Sequence, residues 1–240
     1  MFENEALTNS ALLVACYAYI VLVIVVSGKL ESSLRVSSKA RRKFLHMMIG
    51  NLPFIIPFFS FNSFPVNFPF FVAAPFIFVS LLASSYSPSK WLSEKMKGLS
   101  MLTEGGHQLG LVFYSISYTG LALFFSAKPY VIAAGILPMA YGDASAALIG
   151  EKYGKRRYRV FAKKSLEGSL AMFLVSFFSL ATSLVFFSFL YPLQLSNSIL
   201  AALAAAVVAV LAEALSPLGL DNLTVPLLSA LTFFALMGGI

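Results

Sequence analysis

Residues 168–191 read GSLAMFLVSFFSLATSLVFFSFLY, and residues 196–215 read SNSILAALAAAVVAVLAEAL. Neither stretch alternates polar with apolar residues, so neither reads as a half-buried strand or a barrel stave. Each matches the length a helix needs to cross a hydrocarbon layer, about 20 residues. Comparable runs fall near 7–28, 44–60, 66–86, 109–126, 129–149 and 223–240. The expected fold is therefore all-α, a polytopic transmembrane helical bundle of about eight spans. The second run is short and holds Pro53 and Pro57, so a kinked or partly re-entrant segment is expected there.

Composition agrees. Of 240 residues, 59% are hydrophobic and 11% charged, against about 25% charged in soluble domains. Mean hydropathy is +0.85. A soluble fold of this length cannot hide so much apolar surface, because its exterior still faces water. Cys16 is the single cysteine, which excludes an intrachain disulfide and a cysteine-based zinc site. The first five residues, MFENE, are acidic where a secretory signal peptide starts basic, so the first run is expected to be a retained span.

The net charge of +7 raises nucleic acid as a partner. The placement of the basic residues argues against it. Lys29, Arg35, Lys39, Arg41, Arg42 and Lys43 lie between the first two runs, Lys90, Lys95 and Lys97 lie in 87–108, and seven more lie in 150–167. Eight spans put all of these on one side, and Lys128 alone falls on the other. The excess of Lys and Arg marks the cytoplasmic side. The expectation is one integral membrane domain, 1–240, with its polar loops and any catalytic chemistry on the cytoplasmic face.

Acidic residues in or beside spans are costly and tend to mark function. Here they are Glu104, Asp143, Glu167, Glu213 and Asp221, with Asn222 beside the last and His46 just inside the second run. All of them are expected at one membrane level, on the side of the basic loops. The loop 150–168 carries Lys155, Lys163, Lys164 and Ser165 between Gly150, Gly154 and Gly168. Lysine ammonium groups neutralise phosphate, and helix N-termini offer free N–H groups to anions. The loop is not a Walker A motif: Gly150 and Gly154 enclose three residues rather than four, and Arg156 follows Lys155. Plainer roles exist. Ser165 suits an N-cap with Glu167 in the first turn, and Asp221 and Asn222 suit a cap before Pro226. The basic loop alone would also serve as a topology signal touching anionic headgroups. Asp143 and Glu213 fit no capping role and need partners near the bilayer.

Several blocks in order resemble the membrane family of CTP-dependent lipid-alcohol kinases, which includes dolichol kinase, phytol kinase and the CTP-using diacylglycerol kinase. They are Arg42-Lys43-Phe44-Leu45-His46; residues 141–150 with Gly154-Lys155; Lys163-Lys164-Ser165-Leu166-Glu167-Gly168-Ser169; and Glu213 followed by residues 221–226. The central blocks are also similar to phosphatidate cytidylyltransferase. That family's Lys-Asp, His-Gly-Gly and Asp-Arg elements are absent, and Gly105-Gly106-His107 runs in another order.

The resemblance implies transfer of the CTP γ-phosphoryl group to a lipid alcohol, with dolichol the first expectation and phytol, geranylgeraniol or diacylglycerol next. CTP rests on the resemblance alone. Phosphoryl transfer is mostly positioning and electrostatic stabilisation, with Mg²⁺ held by oxygen ligands. The implied metal ligands are Asp143 and Asp221. Lys43, Lys155, Lys163, Lys164, Ser165, Asn222 and the three glycines would hold the nucleotide. Glu167 and Glu213 would orient lysines or water, and His46 or a carboxylate would take the hydroxyl proton. Expected partners are CTP, the lipid alcohol, membrane lipids and, as an option, a second copy of the chain. A cytidylyltransferase-like enzyme and a transporter are the competing classes.

Overall fold

The computed structural model describes residues 2–34, 38–60, 67–84, 86–88, 91, 109–217 and 219–238. Arg35, Lys90, Lys95, Lys97, Glu104 and Gly105-Gly106-His107 lie outside them.

In lipid every backbone N–H and C=O must be satisfied within the segment or by close neighbours, so the continuous apolar runs become helices. In chain order these are α1 (Phe2–Leu34), α2 (Ser38–Ile49), α3 (Phe68–Ala73), α4 (Pro75–Ala83), α5 (Gly110–Phe125), α6 (Pro129–Leu137), α7 (Asp143–Tyr153), α8 (Leu166–Ser188), α9 (Leu195–Leu215) and α10 (Asp221–Leu236). Among the described residues, four helical stretches are long and apolar enough to cross a membrane: Glu5–Lys29, Pro129–Tyr153, Leu166–Ser188 and Leu195–Leu215. Phe68–Ala83, Gly110–Phe125 and Asp221–Leu236 are shorter apolar helices. The chain is thus an all-α, multi-pass membrane bundle.

The expected span at 44–60 is not one helix. α2 ends at Ile49, and the chain continues in two 3₁₀ turns, Leu52–Phe54 and Ile56–Phe58, each with a proline in its first two positions. Pro53 and Pro57 lack the N–H an α-helix requires, and tighter bonds replace it, such as Ile55 N–H to Leu52 O at 3.0 Å. The next run also breaks, where α3 gives way to α4 at Pro75.

Pro129–Tyr153 is the central span. Its apolar window is 67% buried, against 22% for the span in α1. A five-residue π-helical turn, Pro138–Gly142, joins α6 to α7. Val131, Ile132, Ala133, Ala134 and Ile136 of α6 have no exposed surface, and α5, α8, α9 and α10 pack around them. Sidedness follows residue size rather than polarity, as expected where lipid is as apolar as leucine. In α9, Ala201, Ala202, Ala205, Ala209 and Ala212 face inward, while Leu200, Leu203, Val207 and Leu211 are exposed.

Pro226 lies inside α10 and cannot donate to the Asn222 carbonyl one turn earlier. Ser117 Oγ of α5 lies 3.0 Å from that carbonyl and 3.0 Å from Tyr114 O in its own helix, so its one proton is shared between a neighbouring helix's open carbonyl and its own helix. The 150–168 loop contains a two-stranded antiparallel hairpin, β1 (Arg157–Arg159) and β2 (Lys163–Ser165), in the register Arg157↔Ser165, Tyr158↔Lys164, Arg159↔Lys163. It is the only sheet among the described residues. Lys128, the basic residue expected on the other face, sits 4.8 Å over the Phe234 ring, near the end of α10 remote from Asp221.

Candidate active site

Four segments far apart in the chain meet at one end of the bundle: α2, the start of α7, the hairpin with the start of α8, and the α9–α10 turn. They enclose a polar cavity of about 410 Å³. Arg42, Lys43 and His46 line it from α2, and Asp143 from α7. Lys163, Lys164 and Ser165 enter from β2, and Glu213, Asp221 and Asn222 from the α9–α10 side.

The π turn ends at Gly142, so Asp143 is delivered to the cavity in mid-span rather than at a free helix start. π turns cost helix regularity and often occur at functional sites. Gly142 has no room for a side chain: a Cβ there would lie 2.1 Å from Ser176 Oγ. Asp143 is buried and forms an ion pair with Lys43. Glu213 is buried too, and its Oε1 accepts from the Lys164 ammonium.

Burial alone would lower the Lys164 pKa. The Glu213 carboxylate bonded to it, together with Asp221 and Asp143, instead raises it above the ordinary lysine value. The Lys164 ammonium therefore lies in the field of three acids. Asn222 donates from Nδ2 to Asp221 Oδ1 at 3.0 Å and to Gly219 O at 3.2 Å.

Two buried acceptors in the cavity wall, Glu213 Oε2 and Asn222 Oδ1, make no hydrogen bond among the described residues. Such oxygens favour a donor or a cation. No three of His, Cys, Asp and Glu converge as metal ligands among the described residues. The oxygens present suit a hard cation such as Mg²⁺, which keeps waters and phosphate oxygens and takes one or two carboxylates from protein. His46 is 1% exposed and stacks on Tyr114 of α5, ring centroids 4.6 Å apart and planes 7° from parallel.

Other expected site residues find different work. Lys155 is exposed and does not line the cavity. Glu167 turns away to accept from the Arg156 backbone N–H at 3.2 Å, holding the hairpin to α8. Ser165 Oγ accepts from Gly168 N–H at 3.1 Å as the N-cap of α8. Gly150, Gly154 and Gly168 pack around that hydroxyl, and Ser165, Gly150 and Gly168 line the cavity as well. A Cβ on Gly154 would fall 2.2 Å from Gly150 O, and one on Gly168 2.8 Å from Ala146 O. Their absent side chains let α7 and α8 approach, whatever else they touch. Arg42, Arg157, Ser169 and Ser216 also line the cavity and were not singled out from sequence. Arg42 adjoins Lys43 in a block already read as functional, which was the available signal. Ser169 closes the block that begins at Lys163 and had the same signal, whereas Arg157 and Ser216 depend on the hairpin and helix register.

The chain is 43% identical over 140 residues to a protein named phytol kinase from Synechocystis sp., a match covering 57% of this chain and 58% of that protein. It is 31% identical over 135 residues to a probable chloroplastic phytol kinase of Triticum aestivum, covering 54% of this chain and 44% of the relative. It is 30% identical over 131 residues to a chloroplastic farnesol kinase of Arabidopsis thaliana, covering 53% and 42%. The chain thus spans about half the length of the curated relatives it matches. The resemblance to lipid-alcohol kinases read from the ordered blocks holds in these relatives' names. No family model and no solved structure matches the chain.

Proposed function

We propose that the chain is a membrane-embedded kinase that transfers the γ-phosphoryl group of CTP to the hydroxyl of an isoprenoid alcohol. The relatives' names carry phytol and farnesol, which moves the preferred substrate from dolichol to an alcohol of that type. One observation carries the reading: Lys43, Lys163, Lys164, Arg42 and Arg157 share one cavity with Asp143, Glu213 and Asp221 at an end of an apolar bundle. A soluble phosphate donor reaches that end from water, and a lipid tail stays among the helices. The segregation of basic residues to that side supports a cytoplasmic orientation.

In this mechanism Lys163, Arg42 and Arg157 bind the triphosphate, and Lys43 and Lys164 complete a cationic wall held in place by Asp143 and Glu213. The alcohol oxygen bonds to the γ-phosphorus, the bond from that phosphorus to the β–γ bridging oxygen breaks, and CDP leaves. The hydroxyl proton passes to a ring nitrogen of His46, whose plane Tyr114 fixes. A Mg²⁺ ion held by Asp143 and Asp221, with the Asn222 and Glu213 oxygens beside them, would supply neutralisation of the phosphate charge when bound.

The test is a micelle assay with γ-labelled CTP or ATP against phytol, farnesol, dolichol and diacylglycerol. CTP-dependent label in phytol or farnesol, lost on chelation, is the expected result. Label from ATP alone overturns the donor, and label in dolichol or diacylglycerol overturns the substrate. A CDP-lipid formed from phosphatidate, with no labelled alcohol, would replace the kinase with a cytidylyltransferase.

A further inference from the structure

Behind the polar cavity lies a second, apolar one. Ile24 of α1, Leu45 and Ile49 of α2, Ala73 of α3, Val79 of α4 and Tyr114 of α5 are among its walls. Two serines also border it, but Ser115 donates to Leu111 O at 3.0 Å and Ser80 to Ile77 O at 3.1 Å. Both hydroxyls are spent within their own helices, which leaves the Tyr118 hydroxyl, without a hydrogen bond among the described residues, as the polar group on an otherwise apolar wall. The slot is narrow, about 40 Å³. On the measure by which a water needs about 10–15 Å³, that admits about three methyl-sized groups.

α2 belongs to both cavities. Lys43 and His46 line the polar one, and Leu45 and Ile49 line the apolar one. The partition between them is the His46–Tyr114 stack, in which Tyr114 is 2% exposed and belongs to the apolar side. A ligand spanning this partition needs a polar head and an apolar chain joined without a bulky headgroup.

We propose that this slot binds the hydroxyl-proximal carbons of an isoprenoid alcohol, so that the Tyr114 ring holds the first prenyl unit while the hydroxyl reaches His46. The rest of the chain continues between helices into lipid. This rests on the kinase reading for the hydroxyl's destination, but chain binding is a separate property. Ala73 sets the width, because a larger side chain there occupies the slot. Ile49 bounds the other wall, and shortening it admits bulkier branches. One methylene in an apolar pocket discriminates by about 10–200-fold, so a slot this small suffices to select among alcohols.

The experiment photolabels the wild-type protein in micelles with a diazirine-bearing farnesol and maps the adducts, then measures alcohol phosphorylation by Ala73→Leu and Ile49→Ala. Expected are adducts on α2, α4 and α5 at slot residues, competed by unlabelled farnesol. Also expected is a fall of about tenfold or more in kcat/KM for the alcohol in Ala73→Leu, with KM for CTP unchanged. Ile49→Ala should shift preference toward bulkier alcohols. Adducts confined to the lipid-facing surfaces of α8 and α9 would overturn the proposal. So would slot adducts competed by phospholipid and not by farnesol, which would mark an acyl-chain site. If the wild type transfers no phosphate while farnesol still competes for the slot, the kinase reading fails and the alcohol site stands. If it transfers phosphate but labels elsewhere, the slot fails and the kinase stands. The labelling arm needs no variant, so a misfolded Ala73→Leu does not remove the test.

Discussion

Ser115, Thr119, Ser183 and Ser198 are buried in the bundle, and each donates to a carbonyl three or four residues back in its own helix, at 2.7–3.0 Å. Lys43 and Lys164, at one end of the same bundle, find Asp143 and Glu213, each across helices and far away in the chain. In the first region polarity is settled as soon as a helix forms. In the second it is settled only when α2, α7, the hairpin and α9 have assembled. The end that carries the proposed chemistry therefore also depends most on tertiary structure, and substitutions there should act on folding and on activity together.

The largest effect should come from Asp143→Asn. It removes a proposed metal ligand and leaves the Lys43 ammonium buried without its counter-charge. Breaking one half of a buried ion pair costs about 3–5 kcal/mol. Phosphoryl transfer should fall by about 10³-fold or more, as when charge-stabilising groups are removed from active sites. Thermal unfolding in detergent separates the two losses. The double variant Lys43→Met with Asp143→Leu should recover most of the stability and none of the activity. Recovery of both would mean the pair is only a structural device.

The Lys164–Glu213 pair gives a smaller, pH-shaped prediction. Lys164 is raised above its ordinary value because Glu213, with Asp221 and Asp143, outweighs its burial. A group raised on folding contributes stability that is complete below its unfolded pKa, about 10.4 for lysine, and loses it as pH rises through the folded value. The stability difference between the wild type and Lys164→Met with Glu213→Leu should therefore stay constant from about pH 7 to 10 and shrink only above that. An alkaline loss below about pH 9 that the double variant abolishes would show that Lys164 is not held as described.

Much of this division could be read in the sequence. Continuous apolar runs mark most of the segments that become helices, and the recurrence of His46, Asp143, Glu213 and Asp221 at one membrane level marks the chamber they line. What escaped is what depends on packing. The runs at 44–60 and 66–86 look like spans by composition, yet 3₁₀ turns form at Pro53 and Pro57, and the second run is interrupted before Pro75 even though the Tyr17 hydroxyl donates to Phe71 O, one turn back from that proline, at 2.6 Å. Pro226, equally visible in sequence, lies inside a helix that continues through it, with the Ser117 hydroxyl 3.0 Å from the Asn222 carbonyl. Lys155 and Lys164 look alike in a basic loop. Lys164, paired with Tyr158 in the hairpin, meets Glu213, whereas Lys155 lies before the hairpin and is exposed. Gly150, Gly154 and Gly168 read from sequence as nucleotide-binding; Gly150 and Gly168 do line the chamber, and the space denied to a Cβ adds a close-packing demand at all three that the sequence does not show.

Gly142 tests the link between the two regions, since the buried π turn hands Asp143 to the chamber. Gly142→Ala would press a Cβ onto Ser176 Oγ, and overpacking of this kind costs about 1–3 kcal/mol. Ser176 Oγ has no hydrogen-bond partner among the described residues, so it can be removed at little loss. Gly142→Ala with Ser176→Ala should therefore regain most of the stability lost by Gly142→Ala alone, measured by chemical or thermal unfolding in one detergent. Equal losses in both would place the clash in the backbone of α8 instead.

The smallest effects belong to the apolar region, and there the distinction between own-helix and cross-helix bonds can be measured directly. Thr232 donates to Leu228 O at 2.7 Å in α10, on an exposed face, and that carbonyl already accepts the helical N–H. Thr232→Val keeps the shape and loses a bond the helix does not need, so stability should change by no more than about 0.5 kcal/mol. Ser117 donates across helices to a carbonyl that Pro226 has left without its helical donor. Ser117→Ala should cost about 1–3 kcal/mol, because it strands a buried acceptor. Thr232 is on an exposed face and Ser117 is buried, so burial and redundancy both act in the direction of a larger cost at Ser117. If Thr232→Val proved as costly as Ser117→Ala, polarity in the bundle would not be settled helix by helix, and the contrast with the chamber would reduce to one of charge.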